Sequence, residues 1–313
     1  MNTSWRSAKP LVVLSAVLTM GCSGAGQTGA EPATGHSVCP PGRVVGWGDS
    51  LTYSLTKVDG VWRQAKPTWL DTIGEDLHVQ TVNFGVPSQG SAEIAVRQGG
   101  LKPAVTLINN RIPSGSTAAV PVLAISPIDG WTQYAKAGTM EMHGTLAGVS
   151  GNLQHTMSSG AEIFGFVPDR APESVVPVPA ESVFSSDIGA NYRACTQIIW
   201  AGTNNGGQKT AIMRDIASMV DSLSEPKKYL IVGAVPSVRS ELSIVYGSRF
   251  VDLRSWLVTD GLAAVRLPPT PADIAAVEAG DIAPALTVDG THFTQAAYTA
   301  IGHHLASIIN GLV

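Results

Sequence analysis

Three things are absent: an apolar run of membrane-spanning length, a cluster of basic residues and a grouping of metal ligands. None of its apolar runs reaches the roughly 20 residues that a membrane-spanning helix needs, which excludes integral spans of that kind. Lys and Arg are scattered rather than clustered, and 20 of them against 24 Asp and Glu leave a net charge of −4. Without a basic patch there is nothing to neutralise phosphates, so nucleic acid is not an expected partner. His143 and His155 have no cysteine or carboxylate grouping at metal-ligand spacing beside them and read as surface histidines, so neither a metal nor an organic cofactor is expected. What is present is 44% hydrophobic content over 313 residues, enough for one large domain or two smaller ones.

The first 21 residues have the layout of an export signal: Arg6 and Lys9, an apolar run from Leu11 to Met20, then a small residue. The Gly21-Cys22 ending resembles a bacterial lipoprotein signal, which implies a lipid on Cys22, with plain secretion as the alternative. Residues 22–42 are small, polar and rich in Pro and Gly, and read as a tether. Any membrane contact would then run through the lipid alone.

Val44-Val45-Gly46-Trp47 is a short continuous apolar run that ends in Gly48-Asp49-Ser50-Leu51. A strand buried on both faces looks like this, and in open α/β sheets the chemistry lies just beyond the strands' carboxyl ends. Ser50 is delivered there. Helical spacing over residues 67–77, a strand over 78–83 and an amphipathic stretch over 92–98 make a βαβ unit, with the glycine-containing loop 84–90 before its second helix. Residues 101–192 then read as a mostly β insertion, with short β-branched segments separated by Pro, Gly, Asn and Ser. It is expected to be separable from the rest. Within it Trp131 and Tyr134 serve either as core or, less commonly for a small β unit, as a stacking surface for a sugar ring.

The α/β texture resumes with a strand over 196–201, ending in Gly202-Thr203-Asn204-Asn205. A helix over 211–223, strands over 229–235 and 250–253, a helix opened by Pro271 and closed by Gly280, and a terminal helix over 295–309 complete the chain. Between the last two helices stands Asp289-Gly290-Thr291-His292.

Gly48-Asp49-Ser50-Leu51, Asn83-x-Gly85, Gly202-x-Asn204 and Asp289-x-x-His292, in that order, resemble the four blocks of the SGNH/GDSL hydrolase family. The resemblance covers residues 43–100 and 193–313 and leaves the insertion outside. It implies a flavodoxin-like, three-layer α/β/α fold with a five-stranded parallel sheet, and ester hydrolysis through an acyl enzyme. Carried over position by position, it implies Ser50 as nucleophile, His292 as general base and Asp289 as the carboxylate that orients the ring. The oxyanion donors would be the Ser50 and Ser88 backbone N–H groups and the Asn204 side chain. Ser88 stands where the family has glycine, and a serine tolerates positive φ less readily, so Gly85 is the alternative backbone donor. Asn205 stands where the family has Asp.

The implied substrate is an ester, preferably an O-acetyl or short O-acyl group on a cell-envelope or environmental glycan. Lipid or small-ester hydrolysis is the alternative within that chemistry, and a glycan-binding or adhesion protein on a hydrolase scaffold is the alternative outside it. The implied strand order, 2-1-3-4-5, makes the first and third strands parallel neighbours. Cys39 and Cys195 precede those two strands, so their starting ends should lie side by side and support a disulfide.

Overall fold

The structure, a computed structural model, describes residues 39–40, 42–132, 139–159, 161–233 and 235–312. The export segment, Cys22, most of the tether and Tyr134 lie outside the described residues.

The chain enters β1 (Val44–Gly48), turns at Asp49 into the short helix α1 (Ser50–Tyr53), and forms a hairpin from β2 (Leu55–Val58) and β3 (Val61–Gln64). Helix α2 (Trp69–Leu77), β4 (Thr81–Gly85) and α3 (Ser91–Gln98) follow. Next come β5 (Ala104–Leu107), β6 (Arg111–Ile112), β7 (Val120–Ser126), β8 (Thr139–Leu146), β9 (Val149–Ser158), β10 (Ala161–Pro168), β11 (Val176–Pro177) and β12 (Ser182–Ser186). The last stretch holds β13 (Thr196–Trp200), α4 (Lys209–Asp221), β14 (Tyr229–Gly233), α5 (Arg239–Tyr246), β15 (Phe250–Asp252), α6 (Leu253–Thr259), α7 (Gly261–Ala264), α8 (Pro271–Glu278) and α9 (Gln295–Ile309).

Five of these strands form one parallel sheet in the order β15-β14-β13-β1-β4. Counted along the chain that is 2-1-3-4-5, a doubly wound order whose switch point lies between β1 and β13. Alternation along each strand sends side chains to two layers of helix. Val45, Trp47, Ile199 and Ile231 pack with Ile94 and Val96 of α3 and Ile212 and Ile216 of α4. On the other face Val44, Ile198, Trp200 and Leu230 meet Trp69, Leu70 and Ile73 of α2 and Tyr298, Ile301 and Leu305 of α9. Cys39 and Cys195 are bonded, with Cα atoms 5.0 Å apart, at the starting ends of β1 and β13.

The insertion is a closed barrel, β10-β7-β5-β12-β8-β9, with β6 and β11 pairing beside it. Its apolar interior, including Met142, Leu146, Leu153, Phe166 and Phe184, belongs to the same buried cluster as Trp47 and the α3 and α4 side chains. The expectation of a separable unit is therefore corrected: the barrel and one face of the sheet share a core. Trp131 follows the commoner of its two readings, whereas His155 departs from its own. Trp131 is 2% exposed, edge-on to the rings of His155 and Phe164, and donates its indole N–H to Pro127 O, so it is core and presents no stacking surface. His155 is buried, stacked flat on Phe164 and bonded through Nδ1 to Glu93 Oε1 of α3 at 2.8 Å. It is a pin between the barrel and α3 rather than a surface histidine. His143 is half-exposed, its two nitrogens held by Asp187 and Asp169, each at 2.9 Å.

Candidate active site

β1 ends where α1 folds back against it, and this close approach explains both glycines at the strand ends. A Cβ on Gly48 would stand 2.0 Å from Thr52 Oγ1 and 2.3 Å from Trp200 O; one on Gly85 would stand 2.0 Å from the Tyr53 nitrogen. Asp49 caps α1, its carboxylate accepting the Leu51 N–H at 2.9 Å. Ser50 therefore begins the helix with its hydroxyl at the sheet's carboxyl edge.

His292 reaches this hydroxyl from the loop before α9. Nε2 lies 2.9 Å from Ser50 Oγ and Nδ1 lies 2.9 Å from Asp289 Oδ2. The other carboxylate oxygen of Asp289 accepts the backbone N–H groups of His292 at 2.7 Å and Thr291 at 2.9 Å, so four residues close into a turn that fixes the ring. Buried Phe293, packed against Trp200 and Tyr298, seats that turn on the core. Partial burial opposes ionisation of Asp289, but the hydrogen bonds from His292 and Thr291 outweigh it and hold the carboxyl below its usual range. An ionised Asp289 stabilises the tautomer with hydrogen on Nδ1, which leaves Nε2 a lone pair for the serine proton.

The oxyanion donors of the sequence reading fall into two groups. Asn83 Oδ1 accepts the Gly85 N–H at 2.8 Å, while its amide donates to Thr52 O at 2.9 Å. Gly85 is thus a correction: its N–H is engaged inside the strand-to-α1 joint and is not available as a donor. Ser88 takes φ 70°, the left-handed conformation for which glycine is the easier residue, and no hydrogen bond among the described residues claims its N–H. Asn204 donates one amide hydrogen to Gln89 O at 2.8 Å, next to Ser88, which leaves its second hydrogen for a ligand. Asn205 is turned inward, its oxygen accepting the Ser91 N–H at 3.0 Å and its amide donating to Ser91 Oγ at 3.0 Å.

Buried polar residues that the sequence reading passed over hold these loops. The Arg97 guanidinium donates to Phe84 O at 2.8 Å, Gly48 O at 3.3 Å and Gln89 Oε1 at 2.7 Å, tying the ends of β1 and β4 to the Ser88 loop. Burial pulls its pKa down to about 10, with Glu93 opposing. Glu93 accepts the N–H groups of Gly90 and Thr132 as well as His155, and burial pushes its carboxyl up against those bonds. Asp215 accepts the Ser91 hydroxyl at 2.5 Å and pairs with Arg214 at 2.7 Å, while burial pushes it up to about 6. Asp49 is likewise pushed up to about 6 by burial, although the Leu51 N–H and Thr203 lower it. Thr203 stands close enough to exert that effect, yet its hydroxyl and Asp49 Oδ2 lack ordinary hydrogen-bond geometry. Periodicity carries no sign of these contacts, since Arg97 and Glu93 look like the polar face of an amphipathic helix.

The hairpin β2-β3 was also missed, though Asp59-Gly60 between two short apolar-alternating runs is the strongest short-range signal for a two-residue turn. Both residues have positive φ, 51° and 78°. The hairpin brings Trp62 to the site, its ring centroid 5.1 Å from that of His292. Beside the His292 turn a cavity of about 210 Å³ is lined by Leu51, Thr203, Val235, Ile282 and Phe293, among others. Among the described residues no group of three or more His, Cys, Asp or Glu side chains is arranged to hold a metal ion. No protein-family model, curated protein or solved structure matches the chain, so the functional reading rests on its own residues.

Proposed function

We propose that the chain is a serine ester hydrolase of the SGNH/GDSL kind, exported and either lipid-anchored through Cys22 or secreted. The observation that carries the reading is the unbroken run Ser50 Oγ, His292 Nε2, His292 Nδ1, Asp289 Oδ2, with both contacts at 2.9 Å. A hydroxyl is a weak nucleophile until a base takes its proton, and an imidazole held by an ionised carboxylate is that base. Ser50 Oγ adds to the ester carbonyl as its proton passes to Nε2. The resulting oxyanion is met by the N–H groups of Ser50 and Ser88 and the free amide hydrogen of Asn204. Collapse expels the alkoxide, which takes the proton from Nε2. Water, deprotonated by the same nitrogen, then releases the acid and restores Ser50.

The preferred substrate remains an O-acetyl or short O-acyl glycan, and the Cys39–Cys195 bond supports an oxidising compartment outside the cytosol. Hydrolysis of p-nitrophenyl esters of graded chain length tests the reading. Turnover should be highest for acetate to butyrate and should vanish in Ser50→Ala with the fold retained. More than a few per cent of wild-type turnover in that variant would reject Ser50 as the nucleophile.

A further inference from the structure

Trp62 stands apart from the other tryptophans of the core. Trp47, Trp69, Trp131 and Trp200 are at most 2% exposed, whereas Trp62 is 42% exposed. An indole left in water forgoes a large hydrophobic gain, and here it does so 5.1 Å from the imidazole of the general base, with the ring planes at 70°. Its placement is fixed rather than incidental. The four-pair ladder from Leu55↔Gln64 to Val58↔Val61 sets the register. The base of the hairpin is tied down by Ala65 N–H to Ser54 O at 2.8 Å, Gln64 Nε2 to Tyr53 O at 3.0 Å and Tyr298 Oη to Leu55 O at 3.0 Å. The indole is therefore presented from a rigid support that begins directly after the helix carrying Ser50.

The reaction defines which part of the substrate meets it. His292 Nε2 must come within hydrogen-bond reach of the departing alcohol oxygen to return the proton, so a group packed against the imidazole borders the alcohol and not the acyl chain. Lys57, its cross-strand partner, carries its ammonium over the ring at 5.6 Å from the centroid, yet the indole stays 42% exposed beside His292. A flat apolar surface of this kind matches an alcohol that is itself a ring with C–H bonds on its face.

We propose that Trp62 is the platform for the alcohol part of the substrate and that this alcohol is a pyranose of an O-acylated glycan. The proposal rests on the esterase reading and adds the leaving group to it.

The test compares two acetyl esters: ethyl acetate, whose alcohol has no ring, and partially O-acetylated xylo-oligosaccharides. The ratio of kcat/KM for the oligosaccharide to that for ethyl acetate should fall at least tenfold in Trp62→Ala, chiefly through KM, and Trp62→Phe should restore most of it. An unchanged ratio would overturn the platform, because a side chain that only steadies His292 affects both esters alike. Binding of the same oligosaccharides to Ser50→Ala by calorimetric titration separates this proposal from the one beneath it. Loss of that binding in the Ser50→Ala/Trp62→Ala double variant supports the platform whether or not the wild-type chain turns over esters. Absence of binding to Ser50→Ala, or equal binding by the double variant, refutes it. A wild-type chain inert towards both esters would refute the esterase reading alone.

Discussion

Asp49→Asn should change how stability depends on pH, and the direction follows from where the side chain sits. Asp49 is fully buried between the nucleophile and Thr203, and burial raises its carboxyl from 3.8 to about 6. In the unfolded chain it ionises near its ordinary value. Between those two values the folded state holds a proton that the unfolded state has lost, so stability falls as pH rises through this window. The penalty is absent well below 3.8 and complete above about 6. A carboxyl raised from 3.8 to about 6 is penalised by about 3 kcal/mol at neutral pH. Asparagine keeps an oxygen for the Leu51 N–H, now accepted at 2.9 Å, and places an amide where Asp49 Oδ2 lacks a partner beside the Thr203 hydroxyl. Urea unfolding of both proteins, followed by circular dichroism at intervals from pH 4 to pH 7, reads the effect. The stability of the variant relative to wild type should rise by about 2–3 kcal/mol across that range. Parallel pH curves, or a relative stability that falls with pH, would refute the assignment of a raised Asp49.

Asn204→Ala should lower kcat by roughly 10²–10³ with a smaller change in KM, as for a donor that acts mainly in the transition state; a change in KM alone would make Asn204 a substrate-binding residue. Excision of residues 103–190 should abolish cooperative unfolding, because it strips the shared core from α3 and α4 and removes the buried His155 partner of Glu93; a soluble truncated chain with a sharp transition would contradict the shared core. Removing the Cys39–Cys195 bond, which spans 156 residues, should lower stability by an amount bounded by about 5 kcal/mol in the chain-entropy account. It should leave kcat/KM intact, since the bridge lies at the opposite end of β1 from Ser50; a fall in kcat/KM would show that the bridge reaches the site.

The parts of the molecule legible in the sequence are those with strong local periodicity or a sharp boundary. β1 is a continuous apolar run and β13 ends in one, Ile198-Ile199-Trp200, each stopped by a glycine-containing loop, and α9, expected over 295–309, is observed as Gln295–Ile309. The strand order that the resemblance implies made the cysteine pairing an expectation, and the bond is there. Asp289 and His292 were legible through the resemblance carried by four blocks in order, since the Asp-x-x-His spacing alone reads equally as a simple turn before a surface histidine. What stayed hidden depends on distant contacts. Nothing near His155 in sequence announces Glu93, 62 positions away, and Arg97 earns its place only once β1, β4 and the Ser88 loop have converged on it. The barrel's short strands were recognised, but whether its inner face closes on itself or packs against α3 cannot be read from alternation. The β2-β3 hairpin is a different kind of miss, because its Asp59-Gly60 turn signal is local and stands in the sequence.

The central claim is that Ser50 is an activated nucleophile, and covalent capture tests it most directly. A fluorophosphonate added to the folded chain should form one adduct, located to Ser50 by mass spectrometry of the digested protein and greatly slowed in His292→Ala. Failure of the folded wild-type chain to label, or an adduct on another residue with Ser50 unmodified, would contradict the account.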